Sequence, residues 1–198
     1  MITKNQDPGL DILDTGYRVT YEQLNTLIAF LDIWRRLAMW IRSLVTSIVY
    51  DLDNKDETVN ELFRIPSELY DTLRIFYGPT IAQQILNLLT NFITSVWRLV
   101  EAMKTGDQEN VDASTQQLYQ TADELAAFLA PINIYWDEQQ WRSLLNQTIR
   151  LLIDEVVFAL SKNHEQEIIA FNRMQEIASL MGSYMARGII ARSMGTEE

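Results

Sequence analysis

Cysteine is missing from all 198 residues. Disulfides, thiolate zinc sites and cysteine nucleophiles are thereby excluded, and with them the usual reason to place a chain outside the cell. The expected location is the cytoplasm. Histidine occurs once, as His164. A di-iron carboxylate bundle takes Glu-x-x-His from two helices, so that centre is excluded, and His164, in a polar turn, reads as a surface or capping residue. With 7 Gly and 4 Pro there is too little punctuation for the many short strands of a β fold. The phosphate loops GxxxxGK[ST] and GxGxxG and the hydrolase elbow GxSxG do not occur. Basic excess is lacking as well: 16 Lys and Arg face 27 Asp and Glu, for a net charge of -11. Nucleic acid and anionic membranes both select a basic surface, so neither is an expected partner. The first residues, MITKNQDPGL, lack the apolar core of a signal peptide.

What is present points to one packed helical domain. Hydrophobic residues make up 47 % and aromatics 10 %, too apolar for a disordered chain. A single domain of this length can bury roughly 70 % of its extended surface. Residues 1–18 are polar and read as a flexible arm, docked at most through Leu10, Ile12 and Leu13; residues 19–193 form the domain and 194–198 a disordered tail. From Thr20 apolar residues recur every three or four positions (Leu24, Leu27, Ile28, Leu31, Trp34, Leu37, Ile41, Leu44, Ile48, Leu52), which predicts a helix of about thirty residues. The acidic run DLDNKDE stops it, with Asp56 or Thr58 capping the next helix. Two short helices come there, split by Pro66. Gly78-Pro79 closes one element and opens another, because proline suits a first helical turn. That helix carries Ile81, Ile85, Leu89, Phe92, Val96, Leu99 and Met103 to the stop KTGD. A helix over 110–130 presents Leu118, Ala122, Leu125 and Leu129 and ends at Pro131. INIYWD makes an aromatic corner, and Asp137 caps the next helix with Gln140 as its capping-box partner. Trp141, Leu145, Ile149, Leu152, Val156 and Leu160 form its stripe. The last helix, 165–192, runs through Ile168, Phe171, Met174, Ala178, Met181, Met185 and Ile189. The expected fold is all-α: an antiparallel four-helix bundle, with the helices over 60–76 and 110–130 as two shorter additions.

Three stretches invite a functional reading. IWRRLAMWIRS, residues 33–43, mixes tryptophan and arginine, yet Trp34, Leu37 and Ile41 fall on the stripe while Arg35, Arg36 and Arg42 flank it; this is an amphipathic soluble helix. Residues 75–97 are uncharged and long enough to span a bilayer, but Gly78, Pro79 and four amides fit a bundle helix better. DLDNKDETVNEL resembles a calcium loop at Asp51 and Asp53 only. Lys55 takes the fifth position, no glycine the sixth and Leu62 the twelfth, so the loop geometry fails. One carboxylate stands out. Glu155 shares a helix face with Leu152, Thr148 and Ala159, and a carboxylate near a core needs a partner, here Arg42 or Arg150. Met174, Met181 and Met185 serve as core or as an adaptable partner surface; the core role is the simpler one.

Several stretches together resemble one family. They are IWRRLAMWIRSLVTSIVYDL, LRIFYG, LLTNF with LVEAMKTGD, LYQTADELAAFLAPINIYW, QQWRSLL and MARGII, the fourth being the most specific. The family consists of small all-helical proteins of clostridia and related Firmicutes with no established activity, some labelled acetylglutamate kinase or glycosyltransferase. An amino-acid kinase needs an α/β fold and glycine-rich loops, and neither is visible here. The family pattern, by this resemblance, carries histidines at the positions of Leu37, Phe92 and Thr148 and an acid at that of Ser183. Relatives would then hold a polar interior cluster suited to a metal or proton chemistry, lost or remodelled in this chain.

No catalytic residue, metal ligand or cofactor is assigned. The expected function is a non-enzymatic binding or self-association module, with a protein partner or a second copy as occupant of an apolar groove. The alternative is a small-ligand or metal-binding bundle with a polar interior site at Arg42, Thr148 and Glu155.

Overall fold

The computed structural model describes residues 19–194. The arm over 1–18 and the tail beyond 194 lie outside the described residues. Within them the chain is all-α, with helices α1 (Tyr21–Val49), α2 (Lys55–Leu62), α3 (Ile65–Thr105), α4 (Gln108–Ile132), α5 (Glu138–Leu160) and α6 (His164–Met194), and no strand.

α1 starts on a reciprocal cap. The Thr20 hydroxyl accepts from the Gln23 N–H at 3.2 Å and the Gln23 side chain accepts from the Thr20 N–H at 3.0 Å, which satisfies two otherwise orphaned donors. Its buried face runs Phe30, Ile33, Trp34, Leu37, Ala38, Ile41, Leu44, Val45, Ile48. The expected stripe overshoots at both ends. Leu24 and Ile28 are exposed, as is Leu52, which lies beyond the helix end. That end is set by Asp51, which adopts a left-handed φ of 52°, a region aspartate tolerates. The N-cap position of α2 is Asn54 rather than Asp56 or Thr58, and its side chain makes no capping bond. The Asn54 side chain accepts from Ser47 at 2.9 Å, and Thr58 donates to the Asn54 carbonyl at 2.9 Å.

α3 is two limbs joined by an elbow. Gly78 takes φ 77°, ψ 170°, a conformation that favours glycine, and Pro79 starts the second limb. The first limb descends α1: Glu68 pairs with Arg36 and Phe76 packs on Phe30. The second limb climbs back, so that Lys104 donates to the Val49 carbonyl at 2.6 Å. The expected split falls at Pro66: α2 ends at Leu62, and Pro66 stands in the first turn of α3, where its missing N–H costs nothing. The elbow also falls inside the uncharged run 75–97, and no described helix is long and apolar enough to cross a membrane.

α4 is not peripheral. It packs on both α3 and α5 and buries Leu118, Ala122, Leu125 and Leu129. Asp137 caps α5 by accepting from the Gln140 N–H at 2.8 Å. α6 runs back along α1 from Tyr50–His164 at one end to Gln23–Met194 at the other. They pass closely at Gly182, where an added Cβ would stand 2.7 Å from the Phe30 carbonyl oxygen. The buried face of α6 is Glu167, Ala170, Met174, Ala178, Met181, Met185 and Ile189. Met174, Ala178, Met181, Met185 and Ile189 lie on the expected face, but in the first turns Glu167 and Ala170 are buried in place of Ile168 and Phe171; Ile168 is exposed, as is Leu160 on α5. Small alanines on the true stripe let α6 sit close to its neighbours. Met174, Met181 and Met185 are all core.

Candidate functional site

Two interior regions claim the residues singled out by sequence. The first is ionic. Glu155 lies on the inner face of α5 with a fully buried side chain. Arg42 of α1 reaches it, donating from Nη1 to Oε1 at 2.8 Å. Arg150, the other candidate partner, is exposed and lines an outer cleft with Arg173. The second nitrogen of Arg42, Nη2, donates to Glu167 of α6 at 3.1 Å. One guanidinium therefore bridges two buried carboxylates from two helices, and it also stacks over Phe171 at 4.8 Å. Glu167 takes further support on Oε2, from the Tyr50 hydroxyl at 2.7 Å and His164 Nδ1 at 3.2 Å. His164 in turn stands 3.3 Å from the Tyr50 hydroxyl.

The two acids differ in support. Glu155 Oε2 has no hydrogen-bond partner among the described residues. Burial pushes its carboxyl up to about 7; Arg42 opposes that shift, and the Glu167 charge adds to it. Burial also acts to raise Glu167, but the donors Tyr50 and His164 and the charge of Arg42 overcome it and hold that carboxyl below its ordinary value. Burial, with the bond to Glu167, pushes the Tyr50 phenol up to about 12. Adjacent carboxylates sharing one cation separate in this way because hydrogen bonds favour the charged form of one and desolvation disfavours that of the other.

The second region is apolar. Leu37, Phe92 and Thr148 do meet, around a small void of about 10 Å³ walled by Trp34, Ile41, Leu145, Met174 and Met181. Such a volume holds a single water at most. The Thr148 hydroxyl donates to the Leu144 carbonyl at 3.0 Å, and no carboxylate or cation lines this space. Thr148 therefore does not join Arg42 and Glu155. Ser183 is also apart, with its hydroxyl bonded to the Leu180 carbonyl. Beyond the void lies an aromatic stack: Trp34 on Trp141, with ring centroids 6.0 Å apart, Trp136 on Trp141 at 6.0 Å and Tyr184 on Trp141 at 5.1 Å. The indole N–H groups of Trp34, Trp136 and Trp141 are buried with no acceptor in reach among the described residues.

Sequence reasoning missed Tyr50, His164 and Glu167. Glu167 was legible in principle, because it precedes Ala170 and Met174 on the α6 stripe by three and seven residues. Among the described residues no three acidic or histidine side chains are grouped to hold a metal ion. No family model, curated protein or solved structure matches the chain.

Proposed function

We propose that this protein is a non-enzymatic helical module that associates through the Tyr21 end of its bundle, a second copy being the first occupant to test. One observation carries the reading. Exposed apolar side chains from four elements gather at that end: Tyr21, Leu24 and Ile28 of α1, Ile75 beside the elbow, Ile134 and Tyr135 of the aromatic corner, and Met194 of α6. Tyr21 and Ile75 are each 77 % exposed and Ile134 is 89 % exposed. Scattered surface hydrophobics need no explanation, but a concentration of them marks an interaction site. Between α1, Phe76 and α6 an open cleft of about 470 Å³ indents the same end, walled by Thr20, Gln23, Ile189, Ile190 and Met194.

The framework for this reading is the antiparallel bundle, with α1 against α6, α6 against α5, α5 against α4 and α4 against the second limb of α3. Neighbours in chain order along α4–α5–α6 are joined by short turns, which supports that arrangement. In the same proposal the protein is cytoplasmic. It stands beside the clostridial helical proteins it resembles as a member with apolar side chains where the histidines would be. The alternative, a small-ligand bundle, draws on a single observation, the unpartnered Oε2 of Glu155. The void that holds Thr148 is too small for anything beyond water.

Sedimentation velocity over a wide concentration range tests the proposal. A concentration-dependent dimer is expected, weakened at least about tenfold in Kd, or 1.4 kcal/mol, by the paired substitution I28E/I75E. A monomer at every concentration, unchanged by that substitution, refutes it.

A further inference from the structure

We propose that Arg42, Glu155 and Glu167 form a proton-operated clasp between the C-terminal half of α1 and the α5–α6 hairpin, closed when the two carboxylates share one proton and loosened when they share none. This inference is independent of the binding end, which lies at the opposite pole of α1.

The geometry calls for the proton. The charged and titratable groups that face the cluster are Arg42 and Tyr50 from α1, Glu155 from α5, and Glu167 and His164 from α6. Arg42 is the only guanidinium or ammonium group bonded to either acid among the described residues. Two ionised carboxylates share one guanidinium, and the remaining ionic contact, His164 on Glu167, lies at the exposed edge, so negative charge is left poorly compensated in the interior, which is unfavourable. Their hydrogen bonds decide where a proton goes. Glu167 accepts from Arg42, Tyr50 and His164, whereas Glu155 has Arg42 alone and a bare Oε2. Glu155 is thus the acid that takes the proton, and a neutral carboxyl without a partner for its hydroxyl costs far less than an unpartnered charge. The direction of the Glu155 and Glu167 shifts agrees with this assignment. The two acids titrate as a coupled pair.

Position also gives the cluster its access to water and its mechanical role. The His164 side chain is 63 % exposed while touching both Glu167 and Tyr50, so water reaches the edge of the cluster. All three helices converge there, and the clasp is the only ionic link from α1 to α5 and α6 among the described residues. Loss of the proton puts like charges against each other across the α5–α6 interface and weakens that link.

Two measurements on the whole protein test the clasp. The first tracks the side-chain carboxyl carbons by NMR through a pH titration of the wild type. The Glu155 carbon should titrate near pH 7, about two and a half units above the exposed glutamates. The second uses the absence of native cysteine. Spin labels at L52C and S161C report the distance between the α1 end and the α5–α6 turn. That distance should be narrow at about pH 6, broader and longer at about pH 8.5, and narrow at both in E155Q. Titration of Glu155 together with the exposed glutamates, or a distance distribution indifferent to pH, overturns the proposal. Both readouts on the chain that keeps Glu155 remain decisive if E155Q does not fold.

Discussion

α1 crosses two unlike interiors. Around Trp34 and Leu37 it meets aromatic rings and aliphatic chains; around Arg42, two turns further on, it meets buried acids. The first region is held by area removed from water, at about 25 cal/mol per Å², and by tilted and edge-to-face aromatic contacts. No carboxylate, histidine or cation lines its void. The second is held by charge in a low-dielectric setting, where a missing partner costs more than the intact pair contributes. The same helix thus carries one contact whose strength is fixed and one whose strength depends on proton activity.

Substitutions can break this contrast. The largest effect is expected from W141A. Trp141 is fully buried and touches three other aromatic rings, so its removal should cost about 3–5 kcal/mol. Urea denaturation should give that loss equally at acid and alkaline pH. R42A comes next. With Arg42 gone, Glu155 and Glu167 are buried without their cation, and breaking such a pair costs about 3–5 kcal/mol. Here the loss should be full in alkali and smaller in mild acid, where Glu155 carries a proton. A pH-independent loss in R42A would merge the two regions into one kind of core. The smallest effect belongs to T148V. Its hydroxyl bonds only to its own helix, in a void of apolar walls, so the change should stay within about 1 kcal/mol at any pH. A larger loss would show that Thr148 belongs to a polar site after all.

The contrast also explains how far the residues could be read unaided. Periodicity identified every long helix, because a stripe of Trp34, Leu37, Ile41 and Leu44 has one reading. Gly78-Pro79 marked the elbow, because its backbone conformation is local. Glu155 was legible as an acid in need of a cation, because a carboxylate on an apolar stripe demands one, but Arg42 and Arg150 were equally open until the structure paired it with Arg42. Height along a neighbour was not legible. Thr148 and Glu155 share a face of α5, but seven residues at 1.5 Å each separate them by about 10 Å, and the crossing of α1 places a different residue opposite each. Glu167 was missed in the first turns of α6: Ile168 and Phe171 look like the better core residues there, yet Glu167 and Ala170 face inward, and the expected face holds only from Met174 onward. Tyr50 comes just after the last residue of α1 and has no periodic partner. Asp51 gave no sign of its left-handed turn beyond being an aspartate.

The direct test is the stability of wild type and E155Q by urea denaturation between about pH 5 and pH 8. The folded-state value of Glu155 is raised from 4.5 to about 7. The folded protein therefore binds the extra proton between those limits, and wild-type stability must fall as pH rises through them. The full shift corresponds to a ceiling of about 3 kcal/mol. Glu167, held low, acts in the opposite sense and only in acid: its contribution is lost as pH falls through its depressed value. E155Q keeps the bond to Arg42 and has no proton to lose, so its stability should be nearly flat over that range. A wild-type profile as flat as that of E155Q, or an E155Q profile as steep as the wild type, would contradict the account.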